Sequence, residues 1–225
     1  MLFRSGTYIG LVADGFYDIH DFDDDGQLVD GLPMPAFGAV QPGDVKYLDL
    51  DRNGIVDQND VTKIGRSWVP EWTFTFGGKV CYKGFDLQIA FQGVAGVSAS
   101  LLDNWNQTVA FVDNGNAYAI ALGAWAYYPV EGIDNRAGAT YPRLTTRSNE
   151  NNYRLSSLWV KDASFLKLRN VELGYTWKER FRVFVNGQNL CTISPFQWKY
   201  NLDPENISGL YPQLRTFNAG ISVNF

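Results

Sequence analysis

Histidine is almost missing from this sequence, since His20 is the only one among 225 residues. A Ser-His-Asp arrangement or a histidine zinc site therefore has little to draw on. The carboxylates could still supply a glycosidase pair, which needs only two of them. They cluster in glycine-rich loops, however, and that placement favours solvation or cation binding. We therefore predict that the chain is not an enzyme.

Long apolar runs and a basic excess are missing as well. The chain has no run of about 18 apolar residues, which excludes a transmembrane helix. Its net charge of -5 argues against a nucleic-acid partner, because proteins that bind nucleic acid usually carry a basic face. Met1 is followed directly by LFRSGTYIGLV, without a basic region and a small-residue cleavage site. No signal peptide is therefore expected.

The chain instead shows an alternation of apolar and polar residues, which is clearest between Trp72 and Gly93. One row of the first run is apolar or aromatic and consists of Trp72, Phe74, Phe76, Gly78, Val80 and Tyr82. The second run repeats the pattern with Phe85, Leu87, Ile89 and Phe91. Only Lys83 and Gly84 separate the two runs, and a two-residue loop places Tyr82 opposite Phe85. This stretch is predicted to form one amphipathic β-hairpin.

Similar alternation predicts further strands at 159–177, 181–190 and 216–225, with a weaker one at 2–11. Leu166 and Leu168 have the opposite parity to Val171 and Leu173, so a bulge is expected near Arg169 or Asn170. The last strand carries its apolar row to Phe225. Together with 22 glycines and 15% aromatic residues, this favours an all-β antiparallel meander of about six strands.

The connections differ in length in a regular way. The turns at Lys83–Gly84 and 178–180 are short, whereas the connections 10–71, 94–157 and 191–215 are long. Both short turns fall at one end of the strands, which is typical of outer-membrane barrels with short periplasmic turns and long extracellular loops. The mean hydropathy of -0.20 is compatible with such a barrel, because polar and apolar residues alternate along each strand. A soluble sandwich or barrel with irregular loops is the alternative.

Residues 49–60, DLDRNGIVDQND, match the spacing of a calcium-binding loop. Gly54 permits the tight bend, and Ile55 would offer its carbonyl while its side chain packs inward. Position 12 is an aspartate, as in dockerin repeats, and not the glutamate of an EF-hand. The alternative is an Asx-rich turn without metal. The predicted ligands of a structural calcium ion are Asp49, Asp51, Asn53, Ile55, Asp57 and Asp60.

Five stretches taken together resemble a known family. They are PGDVKYLDLDRNGIVDQND, FTFGGKVCYKGFDLQIAFQGVAG, WVKDASFLKLRNVELGYTW, VFVNGQNLCTISPF and YPQLRTFNAGISVNF. In this order they resemble the C-terminal part of a SusC/RagA-type TonB-dependent outer-membrane transporter. The resemblance implies a bacterial outer-membrane location, contact with lipid, and import of a glycan or peptide. It also implies coupling to TonB and a SusD-type surface lipoprotein as a lid.

The chain departs from that family in extent. Such transporters close with roughly 22 strands around a plug, and nothing here resembles the plug domain or the TonB box. The whole of 1–225 is therefore predicted to be a C-terminal barrel segment, with 10–71 and 94–157 as extracellular loops. Such a segment should not transport anything by itself.

The loop aromatics are the candidate substrate-binding residues. Trp105, Trp125, Tyr127 and Tyr128 are expected to touch substrate or the lipoprotein lid, with packing inside the loop as the alternative. Aromatic residues near strand ends, in contrast, suit a membrane-interface girdle. These are Trp72, Tyr82, Trp159, Tyr175 and Trp177. Cys81 and Cys191 are predicted at opposite ends of the wall, as two free thiols.

A secreted, calcium-stabilised β-domain or dockerin-like module that binds a protein or glycan is the competing hypothesis. Dockerins carry two calcium loops, each followed by a helix. Asp21, Asp23, Asp25 and Gly26 imitate the first such loop, but its ninth position falls on Val29, and Pro33 and Pro35 follow. This hypothesis leaves the alternating strands unexplained.

Overall fold

The structure is a computed structural model, and it describes residues 5–208, 211 and 213–224. The chain divides into two compact units. The loop unit comprises Met1–Arg66 and Ala99–Lys161, and the sheet unit comprises Ser67–Ser98 and Asp162–Phe225. The predicted role of Phe225 and the start of the predicted strand 2–11 lie outside the described residues.

Strands dominate the described residues, and helices are short. The strands are β1 (Thr7–Gly10), β2 (Ala13–Phe16), β3 (Met34–Pro35), β4 (Val45–Tyr47), β5 (Ile55–Val56), β6 (Thr62–Ser67), β7 (Trp72–Tyr82), β8 (Phe85–Ala95), β9 (Ser98–Ser100), β10 (Tyr127–Tyr128), β11 (Ile133–Asp134), β12 (Val160–Asp162), β13 (Phe165–Trp177), β14 (Phe181–Ile193) and β15 (Thr216–Val223). The α-helices are α1 (Trp105–Thr108) and α2 (Pro195–Tyr200). Segments of 3-10 helix are Ile19–Asp21, Gln58–Asp60, Leu101–Asn104, Val112–Asn114, Ala119–Gly123, Pro129–Glu131 and Arg136–Gly138.

The sheet unit is built on one antiparallel sheet of five strands, in the order β15-β14-β13-β8-β7. This confirms the predicted all-β meander. The sixth predicted strand does not join it, because β1 pairs with β6 instead. Gly10 explains this placement: a Cβ there would lie 2.3 Å from the Leu155 carbonyl oxygen, so the backbone is packed against another segment of the loop unit.

The two short turns form as predicted. Tyr82 pairs with Phe85 across Lys83 and Gly84, whose φ angles of 48° and 86° suit a type I′ turn. Trp177 pairs with Phe181 across the second turn. The Thr176 N–H donates to the Gly84 carbonyl oxygen at 2.7 Å. Both turns therefore lie at the same end of the sheet.

The predicted bulge in β13 is confirmed. Leu168 pairs with Phe91 and Asn170 pairs with Ala90, so Arg169 is the extra residue. The bulge reverses the parity of β13, and it keeps the leucines on either side of Arg169 on one face of the sheet.

One face of the sheet, called here the apolar face, is aromatic and aliphatic. The Phe76 and Phe91 rings stack at 5.1 Å, and the Phe85 and Tyr175 rings lie 4.6 Å apart. Trp72 is 70% exposed and Ile221 is 74% exposed. Phe74 is also exposed, so within the described residues of the sheet unit no second layer covers this face. Its other exposed members include Val80, Tyr82, Leu87, Leu173, Trp177, Phe181, Val183, Val185, Phe217 and Val223.

Helices contribute little to the fold. Within the described residues, no helix has both the length and the apolar character that a membrane crossing requires.

The loop unit holds several short strand pairs around its own core. Strand β2 pairs with β4, β3 pairs in parallel with β5, and β10 pairs with β11. Its central cluster of buried residues consists of Leu11, Val45, Tyr47 and Val56. Residues 94–157, a loop by sequence, contribute to the core of the loop unit as well, since Val109, Ala110, Tyr141 and Asn152 are all buried.

A buried carboxylate, Asp44, joins distant segments of the loop unit. The side chain is fully buried and accepts hydrogen bonds from Arg143 Nε at 2.6 Å, Asn152 Nδ2 at 2.9 Å and Asn149 Nδ2 at 3.1 Å. Asn152 Oδ1 in turn accepts the Val45 N–H at 2.8 Å. Sequence reasoning did not identify this hub, because an isolated aspartate in a glycine-rich loop suggests solvent exposure.

Replacing Asp44 with alanine should strongly destabilise the loop unit. The change leaves buried amides and one guanidinium without their acceptor, and breaking a buried pair in this way costs about 3–5 kcal/mol. Urea unfolding of the chain in detergent micelles, followed by tryptophan fluorescence, would measure the loss. The control is Asp24→Ala, at an exposed position of the same unit, which should change the free energy of unfolding by less than about 0.5 kcal/mol. Equal effects of the two changes would contradict the assigned role of Asp44.

Candidate functional site

The face of the sheet opposite the apolar one, called here the polar face, carries ion pairs. Arg182 Nη2 lies 2.6 Å from Asp86 Oδ1 and 2.7 Å from Glu172 Oε1. Lys79 Nζ lies 3.4 Å from the same Asp86 carboxylate. Gly174 provides the space, since a Cβ there would lie 2.5 Å from Arg182 Nη2. These charges come from β7, β8, β13 and β14, so the polar face is continuous across four strands.

A second ionic cluster lies on the polar face beyond the bulge. Lys167 is almost fully buried, and its Nζ lies 2.5 Å from Glu205 Oε2 and 3.4 Å from Asp203 Oδ1. The bulged Arg169 also pairs with Glu205 and donates from Nε to Gln92 Oε1 at 2.6 Å. The segment that follows α2 is thereby attached to the strands.

In the loop unit, a cavity of about 660 Å³ is lined by Phe16, Asp18, His20, Trp125 and Arg136, among other residues. We call it the Arg136 pocket. The Arg136 guanidinium donates to Asp18 Oδ1 at 3.1 Å and to Asp134 Oδ2 at 2.8 Å. The hydrogen bonds from Arg136 hold the pKa of Asp134 below its usual value. An aromatic wall and fixed carboxylates are suited to binding a hydroxyl-bearing or amide-bearing ligand.

Trp125 is held in this wall by a close backbone approach. A Cβ on Gly43, whose φ is +87°, would lie 2.5 Å from Trp125 Cε3 and 2.8 Å from Arg143 Cβ. The Trp125 N–H donates to the Tyr141 carbonyl oxygen at 2.8 Å. Glycine is the residue that can adopt this φ while its backbone lies this close to the Trp125 indole.

The structure separates the four predicted substrate-binding aromatics. Trp125 lines the Arg136 pocket, while the ring of Tyr127 lies beneath the Arg136 guanidinium, whose Cζ is 4.0 Å from the ring centroid. Tyr128 is exposed on β10. Trp105 lies elsewhere, edge-on to Tyr153 at 5.4 Å. Trp125 and Tyr127 thus share a neighbourhood, and Trp105 belongs to a different aromatic cluster.

That other cluster corrects one prediction. Trp159 was expected in a membrane-interface girdle, but it is buried in the loop unit and its Nε1 donates to the Asn152 carbonyl oxygen at 2.8 Å. Its ring contacts Tyr141 at 5.6 Å and Tyr153 at 5.8 Å. The strand expected to begin at Trp159 begins at Phe165 instead. The other predicted girdle residues, Trp72, Tyr82, Tyr175 and Trp177, are exposed.

The predicted calcium loop brings three carboxylates together. Asp49, Asp51 and Asp60 each place an oxygen within 4.8 Å of the others. Asp49 accepts the N–H groups of Arg52 and Gly54 at 2.7 and 2.8 Å, and Asp60 accepts that of Leu50 at 2.7 Å. Burial raises the pKa of Asp51, and the neighbouring charge of Asp60 adds to the rise. A cation would relieve this crowding of like charges.

The other predicted ligands are placed differently. Asn53 Oδ1 accepts the Ile55 N–H at 2.8 Å, and Asp57 Oδ1 accepts the Asn59 N–H at 2.6 Å. The Ile55 side chain was predicted to pack inward, but it is 47% exposed, and Val56 is the buried residue. The carbonyls of Gly54 and Val56 accept from Met34 and Ala36 of the neighbouring strand. Since successive carbonyls alternate along a strand, that of Ile55 points away from that partner.

The competing dockerin hypothesis requires a helix after this loop. A single 3-10 turn at Gln58–Asp60 is followed by strand β6 instead. At the imitation loop, Asp23 Oδ1 accepts the N–H groups of Asp25 and Gln27, which forms an Asx-type turn. The structure therefore gives no support to a dockerin.

The polar-face charges and the Arg136 pocket were not singled out by sequence analysis as sites. A signal existed for the first: Asp86, Glu172 and Arg182 occupy polar positions of alternating strands and have opposite charges. No such signal existed for the second, because Asp18 and Arg136 are 118 residues apart in sequence. Cys81 and Cys191 are both exposed and free, as predicted.

Comparison with known proteins identifies the class. No protein-family model matches the chain. It is 30% identical over 215 residues to TonB-dependent receptor P3 of Formosa agariphila, an alignment that covers 84% of the chain. It is 25% identical over 241 residues to TonB-dependent receptor SusC of Bacteroides thetaiotaomicron, with 96% of the chain covered. The chain spans 20% of the length of each of these two relatives.

Solved structures agree in fold. The RagAB peptide transporter matches the whole chain with a TM-score of 0.62 at 18% identity, and the chain covers 24% of that protein. The RagAB peptide importer in its open-open state matches with a TM-score of 0.61 at 19% identity and the same coverage. The sheet, its two dissimilar faces and these relatives define the chain as part of a TonB-dependent receptor. Within that class it belongs to the SusC/RagA type.

Substituting Gly43 with alanine should displace Trp125 from the wall of the Arg136 pocket. A positive φ alone costs alanine about 1–2 kcal/mol, and the clash with the indole adds about 1–3 kcal/mol. The measurements are the free energy of unfolding and the indole N–H resonance of Trp125. Gly31→Ala is the matched control, since Gly31 has a φ of +93° with nothing within 4 Å of its Cβ position. An unmoved Trp125 resonance in Gly43→Ala would show that this contact does not hold the indole.

Proposed function

We propose that this chain forms part of the wall and the substrate-facing loops of a TonB-dependent outer-membrane importer of glycans or peptides. The observation that carries the proposal is the contrast between the two faces of the five-stranded sheet. An exposed aromatic face suits lipid, and an ion-paired opposite face suits a water-filled lumen. The proposal assigns no catalytic step to the chain.

The partners follow from the family. Energy would come through TonB from parts of the receptor other than the wall, and a SusD-type surface lipoprotein would cover the extracellular side. RagAB, one of the structural neighbours, is described as a peptide importer. That description is consistent with a peptide substrate. A glycan substrate is equally consistent with the aromatic and carboxylate lining of the Arg136 pocket.

In this proposal the loop unit is extracellular and Trp125 contacts substrate directly. Tyr127 and Tyr128 flank that contact, and Trp105 either reaches the lipoprotein lid or serves its own aromatic cluster. The fixed positions of Trp125 and Arg136 support direct contact, because a pre-formed pocket binds without first ordering its side chains.

We further propose that residues 49–60 bind a structural calcium ion. The convergent carboxylates of Asp49, Asp51 and Asp60 support this, with Asn53, Asp57 and the Ile55 carbonyl as additional ligands. Calcium takes six to eight oxygen ligands in flexible geometry. The loop itself contains Val56, which is buried in the core of the loop unit. An ion there would therefore stabilise that core.

An arginine on the apolar face should weaken the association of the chain with lipid. Ile89→Arg places a charge among the aromatics of β8, at a cost of about 2–4 kcal/mol near the bilayer midplane. Partition of the chain between buffer and phosphatidylcholine vesicles would measure it. Gln88→Arg is the matched control on the polar face and should leave partition nearly unchanged. Equal partition of both variants, or a wild-type chain that is monomeric without detergent and melts cooperatively, would contradict the wall assignment.

Calcium should raise the thermal stability of the loop unit. An ion bound only by the folded chain stabilises it by about 1.4 kcal/mol at a tenfold excess over Kd. Differential scanning fluorimetry with and without millimolar calcium measures the shift, and Asp49→Asn should abolish it. Asp25→Asn, in the imitation loop, is the control and should keep the shift. Absence of any shift in the wild-type chain would dismiss the site.

A further inference from the structure

A second pocket lies within the sheet unit, on the polar face. Its volume is about 510 Å³, and its lining includes Thr192, Gln197, Trp198, Gln213 and Arg215. We call it the Trp198 pocket. We propose that this pocket binds the carboxylate of an imported solute through Arg215. The inference rests on the proposed function, since a polar-face pocket meets solute only if that face lines the lumen.

The register of the strands assigns the pocket to the polar face. Lys167 and Thr192 are directly paired and therefore project to the same side. Their neighbours Leu168 and Cys191 are paired on the other side. Leu168 is also paired with Phe91, whose ring belongs to the apolar face. Thr192 and Lys167 accordingly face away from it.

The floor of the pocket is electrically balanced. The Lys167 ammonium contacts Glu205 at 2.5 Å, Asp203 at 3.4 Å and Gln213 Oε1 at 3.4 Å, and only 2% of its side chain is exposed. Arg169 pairs with Glu205 and donates from Nη1 to Gln213 Oε1 at 2.8 Å. The two cations and two carboxylates neutralise one another, so the floor offers little net charge to a ligand.

Arg215 is the available cation. It is exposed at the start of β15, and no described residue pairs with its guanidinium. Its addition gives the pocket a net positive charge. A planar guanidinium matches a carboxylate bidentately and balances its single charge, whereas a doubly charged phosphate would keep one charge uncompensated over a neutral floor. The pocket therefore favours a carboxylate over a phosphate or a cationic group.

The remaining lining suits the body of such a ligand. Trp198 is 68% exposed on α2, a helix fixed by buried Phe196 and by the Ser194 N-cap. Its indole offers an apolar surface for a side chain or a sugar ring. Gln213 Oε1 already accepts bonds from Lys167 and Arg169, which leaves its amide N–H groups as donors. The Trp198 pocket thus combines the Arg215 guanidinium, the Gln213 amide donors and the Trp198 indole.

Two sources of carboxylate fit this chemistry, and the experiment distinguishes them. Isothermal titration of the 225-residue chain in detergent micelles would compare the tripeptide Ala-Ala-Phe with its C-terminal amide. It would also compare a glucuronic acid disaccharide with its neutral glucose counterpart. At least one acid should bind about tenfold or more tightly than its neutral partner, because hydrogen bonds to charged groups contribute at that level. The acid that binds identifies the source.

Variants test the assignment to Arg215. Arg215→Gln should lose about tenfold or more in affinity for the acid, Arg215→Lys should lose less, and Trp198→Ala should weaken acid and neutral probes alike. Arg180→Gln is the matched control, since Arg180 is an exposed arginine in the short turn at the other end of β14. Circular dichroism would check that each variant keeps its sheet.

Three outcomes would overturn the proposal: equal binding of acid and amide, equal losses in Arg215→Gln and Arg180→Gln, or no binding of either acid at about 10 mM. The vesicle partition experiment is independent of these results. A chain that partitions into lipid but shows no preference for acids would keep its wall function and lose only this pocket assignment.

Discussion

The strict alternation of apolar and polar side chains along the long strands is the constraint on which the sheet depends. Because neighbouring side chains of a strand point to opposite faces, each strand needs two different environments at once. Phe76 and Phe91 stack on one face, while Asp86 and Arg182 pair on the other. A shift of register by one residue would place these charges among the aromatics. The bulge at Arg169 preserves the alternation where the sequence itself changes parity.

The loop unit follows a different principle. Its strands are too short to be stabilised by ladders alone, and its segments are joined by buried polar groups. Asp44 connects residues 41–45 with 143–152, and Asn151, Asn152 and Trp159 extend that network to the aromatic core. Buried polar groups are expensive unless fully paired. Asp44 and Asn152 are paired through both ends of their side chains, whereas Asn151 Oδ1 has no hydrogen-bond partner among the described residues. The pairing around Asp44 therefore defines one arrangement of an otherwise irregular segment, and it also fixes the Trp125 wall.

Much of the sheet could be predicted from local pattern. The Lys83–Gly84 turn, the pairing of Tyr82 with Phe85 and the bulge are all determined by residues close in sequence. The site was harder to predict. The sequence indicates Trp125 as a candidate substrate contact, but it does not bring Asp18 and Arg136 together beside it, because no local rule relates residues 118 positions apart. Trp159 was misassigned for the same reason: its position near a strand suggested a girdle, and its partners at Asn152 and Tyr141 were not visible.

Sequence alone determined the all-β class, the hairpin register, the two faces of the sheet and the resemblance to SusC/RagA-type receptors. These features follow from the period of the side chains and from turn residues with restricted φ angles. Tertiary structure decided that β1 leaves the meander, that Val56 and not Ile55 is buried, and that Asp44 is a hub. It also decided that Lys167 and Arg169 are neutralised while Arg215 is not. These outcomes depend on which distant segments pack together. Such packing produces no periodic pattern in the amino-acid sequence.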